Sequence, residues 1–262
     1  MTTNPHALSE FKDALCEALA HAAVDFAALL ARVTDPSPRA IGTWTIGETA
    51  NHVSGSARNL VAIASGRARP HSLGDVDEAN ARDLAADTER DPGRLVPRFT
   101  RGEAELVDWL RAAPGDPQIE LFEDVQVPSS TMAAMELGEI LVHGRDIARA
   151  ARLPWRVDPA QSALVLQGYV PLLPSMLDSE RAASSHLTID LRVRGVSPIV
   201  IRVRDGVLDV EEPGAQRVDC HVLVDPDVYL LLNWNRISPV PALLTGRMVI
   251  WGRAPWTILR FG

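Results

Sequence analysis

Glu139 and His143 stand four residues apart in ELGEILVHGRDIARA, and His52 lies in an earlier helical segment, WTIGETANHVSG. Side chains four apart on a helix leave the same face, so this carboxylate and imidazole can reach one divalent cation. With a third ligand such an ion keeps open coordination positions, which serve chemistry rather than structural stapling. The E-x-x-x-H spacing also recurs by chance. Spacing alone fits a solvated ion pair beside a half-buried histidine at least as well.

Placing residues 100° apart sorts the helix around His143 into three faces. Ala133, Leu137, Ile140, Gly144, Ala148 and Ala151 form an apolar stripe, and Arg145, Arg149 and Arg152 form a solvent face. Met132, Glu136, Glu139, His143, Asp146 and Ala150 flank the apolar stripe on its other side, where a polar pocket inside a bundle would lie. His52 shares its face with Ser56, Asn59 and Ile63, beside an apolar stripe of Ile46, Ala50, Val53, Ala57 and Leu60. Both polar faces can converge on one cavity.

The elements that must position these residues are helical. Leu8 to Val33 is rich in Ala and Leu and ends at Asp35-Pro36-Ser37-Pro38, a strong breaker. Thr45-Ile46-Gly47-Glu48 is a capping-box pattern that opens a second helix reaching about Ser65. Asp75 to Asp87 reads as helix, Asp91-Pro92-Gly93 as an interruption, and Pro97 to Ala112 as helix again. Pro114-Gly115-Asp116-Pro117 is a turn, Pro128-Ser129-Ser130 introduces the helix of Glu139 and His143, and Asp158-Pro159 opens the last helix of this part. An up-and-down bundle is the natural packing.

After about Arg181 the apolar period changes from helical to alternating. Leu187, Ile189, Leu191 and Val193 alternate with polar residues, and Asp205-Gly206 marks a hairpin turn. Val218 to Val224 and Arg247 to Trp251 read as further strands, with a helix from Asp225 to Asn235. The expected class is α+β: a helical domain over residues 1–180, then a small antiparallel sheet with helices on one face over residues 181–262.

The chain has 262 residues, 46% of them hydrophobic, with a mean hydropathy of zero. That is the composition of a soluble globular protein. A net charge of −8 argues against a nucleic-acid partner. No apolar run approaches the roughly 20 residues that span a bilayer, and no secretory leader pattern opens the chain. Cys16 and Cys220 form no C-x-x-C pair and read as inert core thiols, which suits a cytoplasmic setting. Lys12 is the sole lysine among 26 basic residues, so arginine is the default surface cation and a single arginine carries little argument.

TWTIGETANHVSG and ELGEILVHGRDIARAA resemble the W-T…H-V/L and E-x-x-x-H-G-x-D segments of the mycothiol-dependent maleylpyruvate isomerase family, a branch of the DinB-like metal-binding four-helix bundles. VDPDVYLLLNWNRISPVPALLTGR resembles the sterol-carrier-protein-like domain appended in that family. The stretch from Pro70 to Val127 matches loosely.

The resemblance implies that His52, Glu139 and His143 hold a divalent metal, zinc being the ion that suits imidazole and carboxylate together. Asp146, one turn beyond His143, reads either as a partner orienting a ligand or as a surface aspartate. The family's N-x-R context falls on Asn80-Ala81-Arg82 and implies Arg82 as a catalytic group and Asn80 as a substrate contact, unless Arg82 is one more surface cation. Arg236 and Arg247 read either as substrate contacts closing over the site or as structural residues. The implied cofactors are the metal and mycothiol, and the implied partners are a small-molecule substrate and that low-molecular-weight thiol. In this chemistry a thiolate adds to a cis double bond, rotation follows, and elimination leaves the trans isomer. Two alternatives share these features. One is a mycothiol S-transferase acting on an electrophile, and the other is a non-catalytic small-molecule binding protein.

Overall fold

Alanine and leucine build the first long helix, α1 (Pro5–Leu30), which buries Leu15, Leu19, Phe26 and Leu30 along one face. The computed structural model to which it belongs describes residues 5–255. A short strand pair, β1 (Arg39–Ile41) and β2 (Trp44–Thr45), leads directly into α2 (Ile46–Ala64). There Thr45 Oγ1 accepts from the Glu48 backbone N–H, while Glu48 Oε2 accepts from the Thr45 N–H at 2.8 Å. This capping box fixes where α2 starts, and with it the heading of His52 on the same helix.

A 3₁₀ turn, Leu73–Asp75, precedes α3 (Val76–Ala86). The interruption expected at Asp91-Pro92-Gly93 is instead the start of α4 (Pro92–Ala112). Asp91 caps this helix by accepting from the Gly93 N–H at 2.9 Å, and Pro92 takes the first position, where no N–H is needed. Pro97 therefore lies inside a helix that tolerates the loss of one backbone bond.

The stretch that follows the turn expected at Pro114-Gly115-Asp116-Pro117 carries no assignment from the sequence. It holds a hairpin, β3 (Gln118–Phe122) and β4 (Val125–Pro128). Buried Ile119 and Leu121 alternate with exposed Gln118 and Glu120, a pattern too short to stand out from the sequence. Asp124, with φ of 62°, takes the left-handed conformation in the turn between the two strands.

α5 (Ser129–Ala151) carries Glu139 and His143 and is buried around most of its circumference. The expected arginine face is narrow: Arg145 is half-buried, and exposed Arg149 donates to the carbonyl oxygen of Ala40 at 2.9 Å. α1 packs against α4 and α5, and α2 packs against the same two helices. Phe26 of α1 meets Phe99 of α4 at 4.8 Å between ring centroids in this core.

The chain divides into two compact units, Met1–Val157 and Asp158–Gly262. The second unit begins with α6 (Pro159–Tyr169) and the four-residue α7 (Ser179–Ala182). It continues through β5 (His186–Val193), β6 (Ile199–Arg204), β7 (Val207–Glu211) and β8 (Cys220–Val224) to α8 (Pro226–Asn233), α9 (Pro239–Leu244) and β9 (Met248–Gly252). α6, expected to close the helical domain, packs against α8. The units accordingly divide at Val157/Asp158 rather than at 180/181. A change in sequence period marks where strands begin, whereas the packing follows the apolar side chains of α6.

The strand order is β7-β6-β5-β8-β9. Every neighbouring pair is antiparallel except β5 and β8, which run parallel from Ile189 opposite Cys220 to Val193 opposite Val224. This corrects the expected antiparallel sheet. Alternation reveals which residues face the core, not which strand pairs with which, and the crossover from the β7 edge to the far side of β5 leaves no local trace. Leu191, Val193, Val222, Val224 and Val228 form the core of this unit.

Gly144 is the point where α5 is most tightly constrained. A Cβ there would lie 2.4 Å from the Trp155 ring, whose Nε1 donates to the carbonyl oxygen of Leu141 at 3.0 Å. We expect Gly144→Ala to displace the indole and lower unfolding free energy by roughly 1–3 kcal/mol in a denaturant titration. An unchanged midpoint would show that the ring moves aside without cost.

Candidate metal centre

α2 and α5 pack side by side, and that packing brings His52 onto Glu139. Glu139 Oε2 lies 3.1 Å from His52 Nε2 and 3.1 Å from His143 Nε2. One ligand atom from each of the three side chains falls within 4.8 Å of the others. A single ion of tetrahedral preference can bridge such a set, and one carboxylate with two imidazoles is a donor set that zinc accepts. The residues thus fit a metal. Three protein ligands leave a position for something else.

The surroundings orient the ligands. His143 is nearly fully buried, and its Nδ1 faces Asp146 Oδ2 at 3.3 Å, one turn along α5. An Nδ1–H donated to that carboxylate leaves the Nε2 lone pair directed at the cluster. The rings of His52 and His143 meet edge to face at 5.5 Å, and Trp44 lies 5.1 Å from His52. Trp44 was visible in the sequence only as part of a matching segment. Its role in walling the imidazoles depends on β2 folding back beside α2.

Without a metal the three groups polarise one another. Burial alone would raise the Glu139 carboxyl, but hydrogen bonds and charge from His143 and His52 outweigh it and hold the group well below the usual carboxylate range. Burial would depress the His143 imidazole, yet hydrogen bonds to Asp146 and Glu139, with their charges, carry it up to about 9.

The cluster opens on a cavity of about 590 Å³, lined in part by Asn51, His52, Ser56, Asn59, Glu136 and Glu139. Ser56, Asn59 and Ile63, read from helical spacing as sharing the face of His52, all line it. Asn80 lines it too. Arg82 does not: it sits on the exposed side of α3, with its Nε donating to the carbonyl oxygen of Glu78 at 3.4 Å. The arginines along the cavity are Arg58, Arg67 and Arg98. Arg98 is the anchored one, pairing with Asp87 and donating to the carbonyl oxygen of Asn51 at 3.0 Å. It lies in a region that resembled the family loosely, and only the position of α4 singles it out.

Arg236 and Arg247 belong to the second unit. Arg247 donates from Nε to Asp225 at 2.7 Å and from Nη2 to Asp227 at 2.8 Å, across the start of α8. Arg236 donates to the carbonyl oxygen of Trp234, with its guanidinium 6.0 Å from that residue's ring. The same unit has an apolar cavity of about 470 Å³, walled by residues including Tyr169, Leu173, Ile189, Ile201 and Trp234. Among the described residues, the cluster suited to a metal is the one in the first unit. Cys16 and Cys220 are both buried, and burial pushes the Cys16 thiol up, away from reactivity.

Residues 15–148, just over half of the chain, match the family described as the mycothiol maleylpyruvate isomerase N-terminal domain. Among solved structures, the chain is similar to a mycothiol-dependent maleylpyruvate isomerase at 14% identity and a TM-score of 0.53, covering 90% of this chain and 93% of that one. A histidine-to-alanine mutant of that enzyme matches with the same values. At this identity the likeness speaks for the fold. No curated protein sequence matches the chain significantly.

Elemental analysis of purified protein is expected to find about one metal per chain, lost in His52→Ala, Glu139→Ala and His143→Ala. Asp146→Asn is expected to keep the metal while weakening its affinity roughly 10–100-fold. Stoichiometric metal in all three ligand variants would move the site elsewhere.

Proposed function

This chain belongs to the mycothiol maleylpyruvate isomerase N-terminal domain family, and from that premise we propose that it is a metal-assisted, mycothiol-dependent cis–trans isomerase of an unsaturated keto acid. The observation that carries the reading is the cluster of His52, Glu139 and His143 at the wall of a cavity large enough for a substrate and part of a thiol. Its four long helices support a DinB-like bundle. We read the second unit as the sterol-carrier-protein-like domain of such proteins.

His52, Glu139 and His143 would hold the divalent metal, zinc on the grounds of its donor set. When bound, such a cation supplies Lewis acidity that stabilises a thiolate at neutral pH. The protein's own groups then position and enclose. Asp146 keeps His143 in the tautomer that faces the cavity, Trp44 walls off the imidazoles, and Asn51, Asn59 and Asn80 offer hydrogen bonds to a polar ligand. Arg98, pre-oriented by Asp87, and the more exposed Arg58 and Arg67 offer bidentate partners to carboxylates. Mycothiol, when bound, would supply a nucleophile able to add reversibly to the cis double bond, whose electron pair would pass into the conjugated carbonyl and return on elimination, allowing rotation to the trans isomer. A cavity lined by three arginines favours a carboxylated substrate over the bare electrophile that an S-transferase would take.

Both cysteines are buried away from the cavity lining, which leaves the nucleophile to be brought in from outside. That dependence supports a reducing, cytoplasmic setting. No helix among the described residues is long and apolar enough to cross a membrane.

The test is turnover of maleylpyruvate by metal-loaded protein with and without mycothiol. Omitting the thiol, or stripping the metal with a chelator, is expected to reduce the rate to background. Undiminished turnover without thiol would overturn the proposal, and formation of a stable thiol conjugate from an electrophile panel would convert it to the S-transferase reading.

A further inference from the structure

At the cavity of the first unit one acid lines the wall and another lies behind it, and the metal chemistry leaves both unused. Glu136 of α5 is fully buried and Glu103 of α4 is 3% exposed. Among the described residues no donor reaches Glu136 Oε2 or either oxygen of Glu103. Two ionised carboxylates are not stable in such a place, because each loses its hydration without a compensating partner. α4 and α5 are in contact, and the two carboxyls act on each other's ionisation. Two such acids buried with no cation between them are held together only if one of them keeps a proton.

Ser56 links the pair to the cavity. Its Oγ lies 2.6 Å from Glu136 Oε1 and 2.8 Å from the carbonyl oxygen of Val53, and both Ser56 and Glu136 line the cavity together with His52 and Glu139. One hydroxyl proton serves one acceptor at a time, so two acceptors describe two states. In the first, Ser56 donates to an ionised Glu136, which also accepts from a protonated Glu103. In the second, Glu136 holds a proton of its own and donates it to Ser56 Oγ, while the Ser56 proton turns to Val53.

We propose that Ser56, Glu136 and Glu103 form a proton relay that takes up the proton given off by a thiol entering the cavity. The proposal rests on the thiol-dependent reading above. The S–H bond breaks with its electron pair left on sulfur, and the proton goes to Ser56 Oγ as the hydroxyl proton moves to Glu136 Oε1. Glu103 keeps its proton throughout, and the reverse transfer restores the thiol when it leaves.

The electrostatics agree with this geometry. Burial raises Glu136, hydrogen bonds from Glu103 and Ser56 draw it back, and it settles at about 7, where either state is accessible. Burial, with the charge of Glu136, lifts Glu103 well above the usual carboxylate range. The charged groups acting on Glu136 are Glu103 from α4 and Glu139 and His143 from α5, while α2 presents the neutral Ser56. His52, Arg58, Asp83, Asp87 and Arg98 complete the titratable lining nearby.

Calorimetry of mycothiol binding to the metal-loaded protein at neutral pH, in two buffers of different ionisation heat, reports the protons passed to solvent. Wild type is expected to release clearly less than one proton per thiol bound, because the relay keeps the proton wherever Glu136 starts ionised. Glu136→Gln, Ser56→Ala and Glu103→Leu are each expected to release about one proton per thiol bound while still carrying metal, the last because Glu136, without a donor beside it, already holds a proton when the thiol arrives. Glu103 lies off the cavity lining, so its substitution tests the relay without touching a ligand, and Ser56→Ala removes one buried oxygen at little risk to folding. Equal release from wild type and all three variants overturns the relay but leaves thiol dependence standing. A wild type that binds no mycothiol removes the thiol reading and the relay with it.

Discussion

A carboxylate caught between two imidazoles from different helices is the interaction on which this protein depends. Glu139 sits where burial opposes its charge, and it stays ionised because His52 and His143 both point at the same oxygen. Taking charges out of water is costly unless partners replace the lost hydration. The helices therefore have to deliver the partners with little slack, and much of the first unit can be understood as the means. The capping box at Thr45 sets the start of α2, and α1 and α4 press α2 and α5 together from the other side. Trp155, lying on the bare backbone of Gly144, holds the far end of α5.

The same geometry separates two kinds of acid one helical turn apart. Glu139 is held charged by its hydrogen bonds and charge interactions with two imidazoles, whereas Glu136, facing another acid and a hydroxyl, is pushed towards neutrality. Opposite environments for similar groups in one cavity are the usual basis for dividing labour between binding and proton movement.

How much of this could be read from the residues alone follows the range of each signal. Helical periodicity and the cap at Thr45 are local, so α2, the site helix and the faces of His52 and His143 were legible. The meeting of His52 with Glu139 spans 87 positions and came from resemblance, since periodicity does not say which faces converge. Breaker residues misled at Asp91-Pro92-Gly93, where the same three residues that can end a helix begin one. The parallel pairing of β5 with β8 and the approach of Glu103 to Glu136 are non-local and left no sequence mark. Arg82 and Arg98 illustrate the limit of motif transfer: the arginine in the matching context is turned outward, and the one anchored at the cavity lies in a stretch without a motif.

Both thiols of this chain are sealed inside it, Cys16 on the buried face of α1 and Cys220 in the sheet. Small oxidants in the surrounding fluid find no exposed thiol here to modify. On the proposed reading, the protein carries no redox memory of its own. Its throughput would instead follow the reduced fraction of the cell's soluble thiol reserve, rising and falling with it while the chain's own cysteines stay out of the exchange.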